Sequence, residues 1–208
     1  MDKKLQQYAP SAPVVQTGDR SLYVNSQPGA QLTINVTAQA PVMIDMTADK
    51  LLAVQRFSRE YYQLIVTGEE IFSNKSLVIN ADRALSKGTV SDAVFDRFSM
   101  LPEDACEELT KIPAIICNEN TGYHGNTSPD QMAIYAWITK VKKGVDGIKI
   151  YFEPLDFIPQ HILSEYSIDF GIHSGCALTD LNISRWTIKE VNLFEACIDA
   201  GVSIAMPK

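Results

Sequence analysis

A chain of 208 residues that is 46% hydrophobic and 21% charged can bury the core of one medium-sized domain. Its 25 acidic residues outnumber its 18 basic ones, which gives a formal net charge of -7 and leaves no dense basic cluster. Because nucleic-acid binding depends on neutralising phosphates with clustered cations, nucleic acid is an unfavourable partner. The N-terminus lacks a signal-peptide core, and no apolar stretch reaches the roughly 18 residues that span a bilayer, so we expect a cytoplasmic protein without a membrane segment.

Residues 1–45 predict an extended, β-rich arm. The segment is rich in Gln, Asn, Ser, Gly, Pro and Thr, and residues 32–37 alternate apolar and polar side chains, as a half-buried strand does. A lone hairpin is marginal in water, so this arm should pack on the body or pair with another chain. An unpaired strand edge also favours assembly, and a homo-oligomer formed through the arm is one expectation.

Residues 46–112 predict a helical region. In its first part, apolar residues recur at three- and four-residue spacing, which predicts one amphipathic helix running from Asp49 to Ile65. Ser91 is expected to cap a second helix. Pro102, followed by two acidic residues, is typical of the start of a third helix.

Residues 113–208 predict a small α+β domain. "IPAIIC" indicates a short buried strand or a helix end, and "MAIYAWITKV" and "IKIYFEP" alternate around the turn "KKGVDG", which predicts a β-hairpin. "IPQHILSE" indicates one helical turn, and "NISRWTIKEV" a third strand. Asn192 should cap a final helix, with inward side chains that are all apolar: Leu193, Phe194, Cys197 and Ile198.

The predicted fold class is therefore α+β. It combines the extended N-terminal β arm, the helical middle, and a small C-terminal antiparallel sheet or half-barrel that is closed by a helix.

The stretch "NENTGYHGN" places amides, a carboxylate, a phenol and an imidazole within nine residues. Asn and Gly tolerate positive φ, so one interpretation is a polar turn with its aromatic side chains laid on the core. The other interpretation is a contact with a ligand or partner, formed by Asn118, Glu119, Asn120, Tyr123 and His124. In a catalytic version of this site, Glu119 and His124 form an acid–base pair.

Arg185, Trp186 and Lys189 form a second candidate contact. Trp and Arg are enriched at interaction hot spots, and such a trio can also stack on a base or grip an acidic group. The alternative is that Trp186 packs the sheet against the following helix while the two basic residues are solvated.

No motif predicts a metal site, a cofactor or a catalytic residue set. The three histidines are far apart, and the sequence contains no C-x-x-C pair, phosphate-binding loop, dinucleotide fingerprint or G-x-S-x-G elbow. The four cysteines are scattered and predict small buried residues.

Three stretches resemble a bacterial module associated with accessory proteins of multi-component antiphage defence systems: "IPAIICNENTGYHGN", "GIKIYFEPLDFIPQHIL" and "RWTIKEVNLFEACIDAGV". The resemblance lies within residues 112–202, carries no catalytic motif, and implies a gene context beside large ATPases or effector enzymes. Together with the acidic, motif-poor chain, it favours a non-enzymatic binding or regulatory subunit with a larger protein partner. Two alternatives stay open: a small enzyme or ligand sensor that uses residues 118–126, and a single-stranded nucleic-acid binder built on a small barrel.

Overall fold

A computed structural model describes residues 44–208, with the exception of 146, 174 and 176. The described chain has a mixed α/β structure, in which five α-helices accompany a curled, six-stranded half-barrel sheet. The predicted arm over residues 1–45 lies almost entirely outside the described residues. Within the described part, no helix combines the length and the apolar character needed to cross a membrane.

The strands are β1 (Tyr62–Thr67), β2 (Ser76–Ile79), β3 (Ala114–Asn118), β4 (Met132–Lys143), β5 (Ile148–Pro159) and β6 (Arg185–Lys189). They are arranged in the order β2-β5-β4-β3-β1-β6. β1 and β3 run parallel, and the other neighbouring pairs are antiparallel. The sheet is therefore mixed rather than purely antiparallel, and it takes two strands from the segment predicted to be helical.

The helices are α1 (Ala48–Val54), α2 (Asp92–Phe98), α3 (Glu103–Leu109), α4 (Gln160–Glu165) and α5 (Leu193–Asp199). The Ser91 and Asn192 side chains accept hydrogen bonds from first-turn amides of α2 and α5, which confirms both predicted caps. Pro102 directly precedes α3, as predicted, and the predicted helical turn in "IPQHILSE" is α4, which Pro159 directly precedes. Two 3-10 turns, Ala81–Arg83 and Asp180–Asn182, lie in the connections.

The predicted helix from Asp49 to Ile65 is wrong beyond its first two turns. α1 ends at Val54, and residues 62–67 form β1 inside the sheet. All six residues of β1 are buried, because the strand packs against apolar side chains on both faces. A strand buried on both faces shows no period of two, so its apolar run also fits a helical spacing.

The predicted β4–β5 hairpin is confirmed. Its alternating side chains divide between two core clusters, with Ile134, Ala136 and Ile138 in one and Tyr135 in the other. One cluster packs beneath α2 and α3, and the other beneath α1, α4 and α5. Two register shifts, at residues 135–136 and 138–140, interrupt the pairing and bend this long hairpin.

One predicted core residue of α5 lies outside the core. Leu193, Phe194 and Cys197 are buried, but Ile198 is 59% exposed. Ile198 is rotated about 100° from Cys197 around the helix, which takes it away from the inward stripe. The helix has seven residues and buries a single narrow stripe, so the apolar side chain at 198 remains at the surface.

Candidate functional site

The two parallel strands end side by side, with Thr67 opposite Asn118 in the register. β6 begins at the same edge, where Arg185 pairs with Val66. In open sheets, ligands bind outside the carboxyl ends of parallel strands. This edge of the sheet, with the loops that follow β1 and β3, is therefore the candidate functional site.

Asn118 holds two loops together at this edge. Its Nδ2 donates to the carbonyl oxygens of Thr67, at 3.1 Å, and Glu69, at 2.7 Å. Its own carbonyl oxygen accepts hydrogen bonds from Nε2 of Gln131, at 3.1 Å, and of Gln160, at 2.8 Å. The side-chain nitrogen and the backbone carbonyl of Asn118 are thus occupied by the protein itself.

Asn120 and Gln160, which are buried, complete a cluster with three half-buried side chains, and we call it the polar junction: Asn118, Asn120, Gln131, Gln160 and Asn182. Asn120 is 5% exposed, and its Oδ1 accepts a hydrogen bond from Gln160 Nε2 at 2.8 Å. The carbonyl of Asn120 accepts another from Asn182 Nδ2 at 3.1 Å. Gln160 is fully buried, and its Oε1 has no hydrogen-bond partner among the described residues. The junction therefore fixes the start of the 118–126 loop.

Glu119 binds the residue that precedes β6. Its Oε1 accepts hydrogen bonds from the backbone N of Ser184, at 2.6 Å, and from its Oγ, at 2.5 Å. Hydrogen bonds to a carboxylate are among the stronger ones in proteins. Glu119 thus positions Ser184. The carboxylate has a structural contact here, whereas the sequence analysis offered it as a ligand contact or as part of an acid–base pair.

Tyr123 and His124 lie at the tip of the same loop. Gly125 has a φ of 73°, which uses the predicted tolerance of glycine for positive φ, and His124 also has a positive φ, of 58°, which was not predicted. The backbone is held by His124 N, which donates to Ala177 O at 2.7 Å, and by Gly122 O, which accepts from Asn182 Nδ2 at 2.8 Å. The Tyr123 side chain is 64% exposed, so it does not lie on the core.

The second candidate contact is organised around a carboxylate that the sequence analysis did not identify. Asp180, which is 7% exposed, accepts hydrogen bonds from Lys189 Nζ at 2.6 Å and from Arg185 Nη1 at 3.5 Å. It also accepts one from the backbone N of His173 at 2.8 Å. The two basic residues are therefore ion-paired rather than solvated.

Trp186 points into the opposite side of β6 and is fully buried in the core cluster beneath α2 and α3. Its Nε1 has no hydrogen-bond partner among the described residues. In this structure it cannot touch a partner or stack on a base. Trp186 is therefore a packing residue, but it packs on the side of α2 and α3 and not against the following helix, α5, whose buried side chains belong to the other cluster.

A pocket of about 190 Å³ opens next to Ser184, where the two outermost strands of the curled sheet approach each other. Ala84 forms a parallel bridge with Trp186 and so joins the chain after β2 to β6. We call this cavity the seam pocket; its lining is Thr67, Gly68, Glu69, Val78, Ile79, Asn80, Arg83 and Ser184. It lies at the carboxyl end of β1 and contains charged side chains from two separate loops.

The three cysteines that the structure describes are unsuited to nucleophilic chemistry at neutral pH. Burial raises the pKa of the Cys117 and Cys197 thiols to about 12. The pKa of Cys106 is also raised, by partial burial first and by nearby acidic groups second. Among the described residues, no group of three or more His, Cys, Asp or Glu side chains is placed to hold a metal ion.

Comparisons with protein-family models, with curated proteins and with solved structures find no match. The functional interpretation therefore depends on the contacts at this edge of the sheet.

The sequence-based prediction missed several residues of the site, among them Glu69, Arg83, Gln131, Gln160, Asp180, Asn182 and Ser184. Only one part of this set has a local signal. Thr179 and Asn182 form a capping box around the 3-10 turn that contains Asp180, and the Thr-x-x-Asn spacing is visible in the sequence. Arg83 and Ser184 reach the site through long-range strand pairing, which leaves no local pattern.

Proposed function

We propose that this chain is a non-enzymatic binding subunit that recognises a larger protein through the tip of the 118–126 loop. The contact surface consists of Tyr123, His124 and Leu178, and we call it the tip surface. Tyr123 is 64% exposed and Leu178 44% exposed, and the carbonyl of the residue before Leu178 accepts the His124 amide hydrogen bond. The observation that carries the proposal is that the exposed Tyr123 side chain stands on a loop whose backbone is held by hydrogen bonds.

The base of the loop supports a binding role because it reduces the entropy lost on association. The polar junction and the Asn182–Gly122 hydrogen bond hold the backbone beneath the tip. A side chain presented by a pre-organised loop loses little further freedom when it binds. Tyrosine also combines a large apolar area with few rotatable bonds, which is why it is common at protein interfaces.

The occupied polar groups favour binding over catalysis. The Oε1 of Glu119 already accepts two hydrogen bonds from Ser184, and the side chains of Asn118 and Asn120 are engaged inside the protein. Enzyme action through this loop would need these contacts to break. The resemblance to accessory proteins of defence systems further favours a large ATPase or effector enzyme as the partner class.

The test is a pull-down of the tagged full chain from its native host at moderate salt, followed by affinity measurement with the purified partner. We expect a stoichiometric large partner, and Tyr123→Ala should weaken its binding by at least tenfold, as hot-spot residues do. The matched control is Ile168→Ala, which removes an apolar side chain that is 91% exposed at another place on the surface.

Two results would contradict the proposal. One is a partner that binds Tyr123→Ala as tightly as it binds the unmodified chain. The other is turnover of a nucleotide, a nucleic acid or a peptide bond by the purified chain alone.

A further inference from the structure

We infer that the seam pocket binds a small zwitterion of the free α-amino acid class, with Arg83 holding its carboxylate and Glu69 its ammonium group. This inference does not depend on the tip surface, because the lining of the pocket includes none of the tip residues.

The charges of the pocket lining carry the inference. Arg83 and Glu69 both line the cavity, and neither forms an ion pair with any described residue. By contrast, Arg185 and Lys189, at the same edge of the sheet, are both paired with Asp180. The pocket therefore offers one uncommitted guanidinium and one uncommitted carboxylate.

A ligand that carries both charges fits this lining better than a simple ion does. An anion without an amine would face the Glu69 carboxylate, and a cation without a carboxylate would face the Arg83 guanidinium. Like charges that face each other disfavour a ligand, whereas two opposite pairs favour it, so the lining selects for a zwitterion.

The neutral groups of the pocket are consistent with this ligand. Ser184 Oγ donates its proton to Glu119, so its lone pairs remain as acceptors that an ammonium group can use. Asn80 is exposed, and its amide can donate to a carboxylate. The backbone N of Glu69 donates to Thr67 Oγ1 at 3.1 Å, which holds the Glu69 backbone beside the pocket.

The size of the pocket limits the ligand. Its volume of about 190 Å³ is below the roughly 300 Å³ at which pockets for drug-sized ligands begin, so nucleotides are too large. Val78, which is 40% exposed, adds an apolar side chain that can contact an aliphatic ligand side chain, whereas the Ile79 side chain is buried in the core. An amino acid has the required charges and dimensions.

The experiment is an NMR titration of the isotope-labelled full chain with each of the twenty free L-amino acids at millimolar concentrations. We expect at least one of them to shift the backbone amides of Gly68, Asn80 and Ser184 in a saturable manner. The N-acetyl derivative of that amino acid lacks the ammonium group, and its methyl ester lacks the carboxylate. Each derivative should bind about tenfold more weakly, because it loses a hydrogen-bonded charge.

Variants of the two charged residues provide a second test of the inference. Arg83→Gln and Glu69→Gln should each weaken binding about tenfold, whereas Arg56→Gln and Glu60→Gln change exposed charges outside the pocket and should leave it unchanged. The absence of any saturable shift would overturn the inference. So would an N-acetyl derivative that binds as tightly as the free amino acid, since Glu69 would then have no part in recognition.

Discussion

The polar junction and the seam pocket both lie near the carboxyl end of β1, but their side chains are used differently. In the junction, Asn118, Asn120 and Gln160 bond to one another and to loop backbone. In the pocket, Arg83 and Glu69 face a cavity without an ion-pair partner among the described residues. The difference shows that a dense run of polar residues in a sequence need not be a binding site.

The physical reason lies in burial. A polar group removed from water must find a partner inside the protein, because a buried group without one destabilises the fold. The residues that follow a buried strand are therefore often engaged in fixing loops. A charge that keeps its contact with water has no such requirement, and it stays available to a ligand. The following predictions test this contrast, from the largest expected effect to the smallest.

Asp180→Ala should lower the free energy of unfolding by about 3–5 kcal/mol, because it leaves two nearly buried cations without their partner. Lys189 and Arg185 have side-chain exposures of 12% and 20%, so water can replace the carboxylate only in part. Urea denaturation measures the change. The control is Lys75→Ala, which removes an exposed partner of Glu153 and should change stability by less than about 1 kcal/mol. If the two variants changed the free energy of unfolding equally, the contrast between partnered buried groups and exposed charges would be wrong.

Alkaline pH should destabilise the chain through its buried thiols. The pKa of Cys117 and Cys197 is raised to about 12 in the folded state, whereas a thiol in the unfolded chain ionises near about 8.5. Their contribution is therefore fully present below pH 8.5 and is lost as the pH rises, by roughly 2 kcal/mol for each thiol at pH 10.

The check is the urea midpoint between neutral pH and pH 10 for the unmodified chain and for a variant with Cys117→Ala and Cys197→Ala. The variant should start less stable and should lose less stability with rising pH. Burial also raises the pKa of Tyr62 and Tyr135, which sets a background of the same sign in both proteins. If the urea midpoints of the two proteins fell equally with rising pH, the buried thiols would not have the raised pKa on which this prediction depends.

Gln160→Ala should reduce the free energy of unfolding by about 1–3 kcal/mol, because the carbonyl of Asn118 and the Oδ1 of Asn120 each lose a donor. Hydrogen exchange should also become faster in the 118–126 loop, since the junction holds its start. A variant with unchanged stability and exchange would indicate that the junction is dispensable.

Glu119→Gln should have a smaller effect, about 1 kcal/mol, because the amide oxygen can still accept from Ser184 but lacks the negative charge. Glu119→Ala removes the acceptor entirely and should lower the free energy of unfolding by more than Glu119→Gln does. If Glu119→Ala left the melting temperature unchanged and abolished an activity, the carboxylate would be catalytic, and the structural assignment would be wrong.

Tyr123→Ala and Arg83→Gln should change the free energy of unfolding by no more than about 0.5 kcal/mol, since both side chains are exposed. The same denaturation assay tests both variants. A loss of stability as large as that expected for Gln160→Ala would show that these side chains have a structural role like those of the polar junction. The tip surface and the seam pocket would then lose their basis.

Much of the local structure was predictable from the sequence because it depends on neighbouring residues. The caps at Ser91 and Asn192, the alternation along the β4–β5 hairpin, and the positive φ at Gly125 each follow from a few adjacent residues, whereas the positive φ at His124 was not predicted. The pattern of predicted strands and helices also indicated a fold of both α and β structure with a half-barrel sheet, although the sheet is mixed and larger than predicted. These features need no knowledge of what packs against them.

The tertiary structure alone decided the identity of β1 and the composition of the site. β1 is buried on both faces, so its sequence lacks the alternation that marks a strand, and only its pairing with β3 and β6 determines its conformation. Arg83 and Ser184 line the same pocket although about a hundred residues separate them. Whether a polar side chain is buried or exposed depends on such long-range pairing, which a linear pattern does not contain.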